Sequence, residues 1–162
     1  MEWLPPLICC ANRNWLEIIG DIYPVFERDF VIQRPVFDDL EVRIKTGPLI
    51  DGRERSFWHL VTEGPDEYRR KPDLRRCERI AWARAVIDHA DDTRLRRWKQ
   101  ERYGNVTIAI ALPDFSYIVF LGRREPDGLE PYMLLLTAYC ADTAKRQQKH
   151  RGEWQDFMRN RR

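Results

Sequence analysis

Lysine is scarce in this 162-residue chain: Lys45, Lys71, Lys99, Lys145 and Lys149 are the only five among 28 basic residues. Arginine therefore carries the positive charge, and its planar fork grips phosphate bidentately and stacks on bases better than an ammonium does. Histidine is scarcer still (His59, His89, His150), and no two stand in HxH or HxxxH spacing. The four cysteines (Cys9, Cys10, Cys77, Cys140) include no CxxC pair, and the adjacent Cys9 and Cys10 suit neither a zinc knuckle nor an ordinary disulfide. They read as idle or buried thiols in a reducing compartment, with no metal or cofactor expected. No run approaches the roughly 18 apolar residues that span a bilayer. The apolar start, 1–10, lacks a basic flank and is broken by Pro5 and Pro6, so it makes a poor signal peptide. No repeat, low-complexity stretch or Gly/Ser linker divides the chain. These absences argue against a zinc module, a disulfide scaffold and a membrane span. They predict a cytoplasmic single domain over 1–162.

What is present is a globular composition, 43% hydrophobic and 12% aromatic, with a net charge of only +2. Nonspecific phosphate binding usually demands a more basic surface. The arginines, however, concentrate in 68–102 and 145–162 and are interleaved with Trp82, Trp98 and Tyr103. That pattern points toward a nucleic-acid partner, against the plainer reading of a solvated charged face.

The periodicity predicts a helix through Trp15, Leu16, Ile18, Ile19 and Ile22 that ends near Pro24. Leu40, Val42 and Ile44 alternate with polar residues as a half-exposed strand stopped by Gly47-Pro48. Residues 56–62 read as a second strand. Pro72 and Asp73 open a long helix with the stripe Leu74, Cys77, Ile80, Ala81 and Ile87, ending near Ala90. A short basic helix over 93–102 is expected to close at Gly104. Strands follow at 105–112, 115–122 and 131–140, joined by Pro-Asp turn signals, and a polar helix at 142–159 is anchored by Trp154, Phe157 and Met158. The expectation is an α+β fold, an antiparallel four- to five-stranded sheet packed against helices on one face, in the order α-β-β-α-(α)-β-β-β-α. Its parts are an N-terminal helical extension (1–40), a core (41–145) and a C-terminal helix (146–162).

Strand parity sorts the polar residues. Phe57, His59 and Val61 would share one face of the second strand, and Met133, Leu135, Thr137 and Tyr139 one face of the last. Thr137 and Tyr139 would thus close an apolar row with two adjacent hydroxyls, as a polar site or as rim residues bonded to water. His59 titrates near neutrality and is a natural proton-transfer group, though a lone histidine can equally be a satisfied rim residue. His89 and His150 read as surface. On the long helix, Glu78 and Trp82 share a face. Arg84 falls on the apolar stripe, where it needs an anionic partner: a phosphate, or a carboxylate such as Asp88.

FWHLVTE (57–63), RRCERIAWARAVI (75–87), FSYIVFLGRR (115–124) and YMLLLTAYCAD (132–142), taken in that order, resemble the barnase–EndoU–colicin–RelE superfamily of small ribonucleases, in its phage-associated branch. The resemblance covers roughly 55–145. It implies a toxin-type endoribonuclease that needs no metal. The RNA 2′-hydroxyl attacks the adjacent phosphorus and leaves a 2′,3′-cyclic phosphate, which requires a base, an acid and positive charge on the phosphate. Carried over, His59 would be the base or acid. Thr137 and Tyr139 would hold the phosphate or protonate the leaving group, and Glu78 would assist. Arg75, Arg76, Arg79, Arg84 and Trp82 would bind substrate. The implied partners are RNA and a protein antitoxin or inhibitor. The chain departs from a minimal toxin in its extra N-terminal helix, read as an inhibitory or a partner-docking element. The alternative is a catalytically inactive RNA-binding or adaptor protein of the same fold. No second histidine stands where a two-histidine mechanism would want it.

Overall fold

The computed structural model describes residues 1–102 and 104–161; Tyr103, one of the interleaved aromatics, lies outside them. Asn14 caps the first helix, α1 (Trp15–Phe26): its side chain accepts from the Glu17 N–H at 2.9 Å, and the Glu17 carboxylate accepts from the Asn14 N–H at 3.2 Å. Ile18, Ile19, Ile22 and Phe26 form its buried stripe, whereas Leu16 is 81% exposed. The helix does not stop at Pro24. It continues to Phe26 and into a π-helical turn, Glu27–Ile32, which delivers Phe30 to the core. The first 40 residues are therefore packed into the same core as the later elements. The Ile8 N–H donates to the Glu78 carbonyl, the Trp82 indole to the Pro5 carbonyl, and the Trp3 indole to Asp92.

The remaining elements are β1 (Val36–Phe37), β2 (Leu40–Arg43), α2 (Arg55–Val61), β3 (Thr62–Glu63), β4 (Lys71–Pro72), α3 (Leu74–Glu78), α4 (Trp82–Asp88), β5 (Arg96–Arg102), β6 (Asn105–Ala111), β7 (Tyr117–Arg124), β8 (Tyr132–Cys140) and α5 (Ala144–Asn160). The fold is α+β. Its sheet is mixed and six-stranded, in the order β1-β2-β8-β7-β6-β5, with β2 parallel to β8; β3 and β4 form a separate two-stranded ribbon. The sheet curls until its edges meet: Arg97 of β5 forms an ion pair with Asp38 beyond β1, and its guanidinium lies 4.4 Å from the Phe37 ring centre.

Three expectations require correction. Of the strand expected over 56–62, residues 56–61 form helix α2 and only Thr62 is extended, in β3, because Phe57, Leu60 and Val61, at i, i+3 and i+4, all bury one stripe. Their aromatic and β-branched content had favoured a strand. Residues 96–102 form an edge strand instead of a basic helix. They pair with β6 along their length, Trp98 facing Ala109, while the charged residues keep the outer edge from pairing further. Gly104, at φ +73°, turns the β5–β6 hairpin rather than capping a helix. The long helix is broken between α3 and α4, because the Glu78 carbonyl that would serve Trp82 instead accepts from Ile8.

The antiparallel four- to five-stranded sheet with helices on one face becomes a mixed sheet covered on both. Ile108, Ile110 and Leu112 pack with α1, α2 and α4 on one side, as the large-and-small alternation of β6 predicts. The small Ala109 and Ala111 leave room on the other side for Trp98, Phe115 and Phe120, beneath Trp154 and Phe157 of α5. A β-bulge redirects the last strand. Phe120 pairs with Thr137 but Leu121 pairs with Leu135, so Leu136 is the extra residue. Met133 and Leu135 consequently face the α1 side, while Tyr139, and Thr137 opposite Phe120, face α5. The expected single row from Met133 to Tyr139 is split.

Trp98→Ala should lower unfolding stability by ~3–5 kcal/mol in urea denaturation, because the side chain is 1% exposed. A tryptophan on an exposed basic helix would change it by less than about 0.5 kcal/mol. Arg94, then Trp3, hold the Asp92 carboxyl well below the usual carboxylate range. A depressed folded-state pKa adds stability above the ordinary Asp value of about 4 and loses it as pH falls. The urea-midpoint difference between wild type and Asp92→Asn should therefore be present at pH 7 and shrink on acidification below about pH 4.

Candidate active site

Asp73 sits at the N-cap of α3 and fixes Arg76 twice, accepting from its backbone N–H at 3.2 Å and from its Nε at 3.1 Å. The guanidinium, with its side chain only 12% exposed, then reaches back to α2. Its Nη1 donates to the carbonyls of His59 and Thr62, each at 3.0 Å. Its Cζ lies 5.4 Å from the centre of the Tyr139 ring, a cation–π placement. One side chain thus joins the end of α2, the start of α3 and the end of β8. Arg70 reinforces this corner. Its Nε donates to the Thr62 hydroxyl at 2.9 Å and its Nη1 to the Gly64 carbonyl at 2.8 Å, while the same hydroxyl donates to the Trp58 carbonyl.

Beside this corner opens a cleft of about 470 Å³ lined by Glu63, Gly64, Pro65, Arg69, Lys71, Arg76 and Arg146. Four cations face one carboxylate, so the cleft suits an anion. A neighbouring cleft of about 260 Å³ is lined by Arg75, Arg79, Trp82, Ser116, Cys140 and Asp142, among others. Asp142 stands between the two, 3.1 Å from Arg146 and 4.0 Å from Arg75. Burial pushes the Cys140 thiol up, against the pull of Arg79, Arg76 and Arg75, which keeps it protonated and a weak nucleophile at neutral pH. Among the described residues, no three His, Cys, Asp or Glu side chains group as a metal ion would require.

The residues singled out in the sequence divide accordingly. His59 lies in the last turn of α2, half-buried and not enclosed in the apolar core, and Arg76 ties its backbone toward Tyr139. Thr137 and Tyr139 share a face of β8, as expected. Arg75 and Arg79 line the smaller cleft with Trp82, and the Arg79 guanidinium lies 5.0 Å over the Trp82 ring. Glu78 pairs with Arg79 at 3.3 Å. Arg84 lies elsewhere: it binds Asp88 at 2.7 Å and donates to the carbonyls of Asp29 and Gln33, which braces the π-helical turn against α4.

His150, read as surface, is 4% exposed. Its Nε2 is 3.0 Å from the Tyr139 hydroxyl and its Nδ1 is 2.9 Å from a Glu153 carboxylate oxygen. A signal for it was present: His150, Trp154 and Phe157 stand at i, i+4 and i+7, so the apolar stripe of α5 extends back through the imidazole. Removing Arg76 would take a donor from the His59 carbonyl and leave the Thr62 carbonyl to Arg70 alone; Arg76→Ala should cost ~1–3 kcal/mol in urea denaturation and raise amide exchange in the last turn of α2. No family model matches the chain, and no curated protein or solved structure does.

Proposed function

We propose that the chain is a toxin-type endoribonuclease that cleaves RNA by attack of the 2′-hydroxyl on the adjacent phosphorus, using side chains alone. The observation that carries this reading is Arg76, which lines a basic cleft while binding the His59 carbonyl and covering the Tyr139 ring. Arg76 thus ties the backbone of His59 and the ring of Tyr139 to the edge of a place where a phosphate is favoured. The anionic transition state needs fixed positive charge at its non-bridging oxygens, and Arg76 with Lys71, Arg69 and Arg146 supplies it. Thr137, next to Tyr139 on the same face, adds a hydroxyl for the phosphate. Trp82, with Arg75 and Arg79, lines the neighbouring cleft as a platform on which a flanking base stacks. In this reading Arg84 supports the fold, and Glu78 acts through Arg79. A protein inhibitor would have to cover the cationic cleft, so it would present acidic residues to it.

The test is incubation of the purified protein with total tRNA and rRNA in excess EDTA. Fragments with 2′,3′-cyclic phosphate and 5′-hydroxyl ends are expected, and His59→Ala and Tyr139→Phe should each slow their appearance by about 10²–10⁴-fold. Intact RNA after prolonged exposure to folded protein, or cleavage at an unchanged rate in both variants, would overturn the reading.

A further inference from the structure

We infer that Tyr139 is the group that receives the 2′-hydroxyl proton, and that His150, held by Glu153, is the positioning residue that draws the phenolic proton away. This rests on the ribonuclease reading above. A carboxylate can only accept hydrogen bonds, so the Nδ1 that faces Glu153 at 2.9 Å carries the hydrogen. The neutral ring then has its lone pair on Nε2, 3.0 Å from the phenolic oxygen, and the phenol donates to it. The order oxygen, imidazole, carboxylate is that of a nucleophile–base–orienter triad, with a phenol as the first member. Its surroundings keep the ring in place: Trp98, Phe120 and Tyr139 have ring centres 6.2, 5.9 and 6.1 Å from that of His150. Charged and titratable groups facing the chain include Glu153 and Lys149 from α5, Tyr139 from β8, and Arg76 above the phenol from α3.

The step balances as follows. The bond from the 2′-oxygen to phosphorus forms and the bond from phosphorus to the 5′-oxygen breaks. The 2′-hydroxyl proton passes to the Tyr139 oxygen while the phenolic proton passes to His150 Nε2, giving an imidazolium opposite Glu153. Protonated His59 supplies the proton for the departing 5′-oxygen, and exchange with water returns both histidines to their starting states. An ordinary phenol holds its proton about 3.5 pK units more tightly than an imidazole, so the two transfers move together rather than in sequence. Arg76, 5.4 Å from the ring centre, favours the negative charge that builds on the phenol during the transfer.

Nitrogen-15 NMR of the full chain without RNA should show His150 as the Nδ1–H tautomer. In the EDTA cleavage assay, His150→Gln keeps both hydrogen bonds but cannot take a proton. It should lower kcat by about 100-fold or more with KM within about twofold, and remove the acid limb of the pH–rate profile. Should that variant fail to fold, Glu153→Gln, which no longer enforces the tautomer, should show the same split between kcat and KM. An Nε2–H tautomer, or a folded His150→Gln with kcat within about threefold of wild type, would overturn this role in an enzyme that still cleaves. Absence of cleavage by the wild type would instead overturn the ribonuclease reading, and this role with it.

Discussion

Arg76 stitches together three chain segments, two through hydrogen bonds that no apolar side chain could replace and the third through its face on the Tyr139 ring. Two backbone carbonyls, of His59 and Thr62, would lack this donor without it, and Asp73 holds the guanidinium from the other side. A guanidinium suits the task because its donors are fixed in a plane and point apart, so it can bridge acceptors from different elements while its face lies on an aromatic ring. The β3–β4 ribbon, the start of α3 and the outer edge of β8 all depend on this junction. β2 pairs with β8 only at Met133 and Leu134, so the far end of β8, paired with β7 on one side, is flanked on its outer side by α2 and α3 rather than by a strand.

The legible part of this architecture was what local rules dictate. The alternation in β6, the Pro113-Asp114 turn and the Asp73 cap each act over a few residues, and each is where the spacing put it. Residues 56–62 were misread because aromatic and β-branched content weighs toward a strand, although Phe57, Leu60 and Val61 also satisfy helical spacing. For β5 the difficulty was that an edge strand bears charge on much of its surface, so Trp98 alone marked the buried side. His59, Arg76 and Tyr139 were all named from the sequence, and Arg76 reaches the His59 carbonyl and the Tyr139 ring. Arg76 acts on carbonyls, which leave no trace in residue identity, so its bridging role could not be read from the chain. His150 was hidden by its polar neighbours in α5, although its spacing to Trp154 was visible.

Charge is arranged in pairs rather than as a uniform field. Arg75 and Arg146 share Asp142, Arg69 faces Asp66 and Arg76 faces Asp73. This accounts for a net charge of +2 in an arginine-rich chain. A paired arginine is held in a set rotamer, and an arriving anion competes with the carboxylate instead of ordering a free side chain. The arrangement favours a site shaped in advance over one that gathers polyanions indiscriminately.

The extra residue at Leu136 gives β8 two allegiances. Met133 and Leu135 before it, and Ala138 and Cys140 after it, face the layer shared with α1 and α2, so the alternation changes phase at the bulge and turns Tyr139 toward α5. The strands β6 and β7 join the two layers as well, with Ile108, Ile110 and Val119 on one side and Ala109, Ala111 and Ile118 on the other. One added residue thus lets a single ribbon offer Met133 and Leu135 to the inner layer and Tyr139 to the terminal helix, without a break in its pairing with β7 beyond that step.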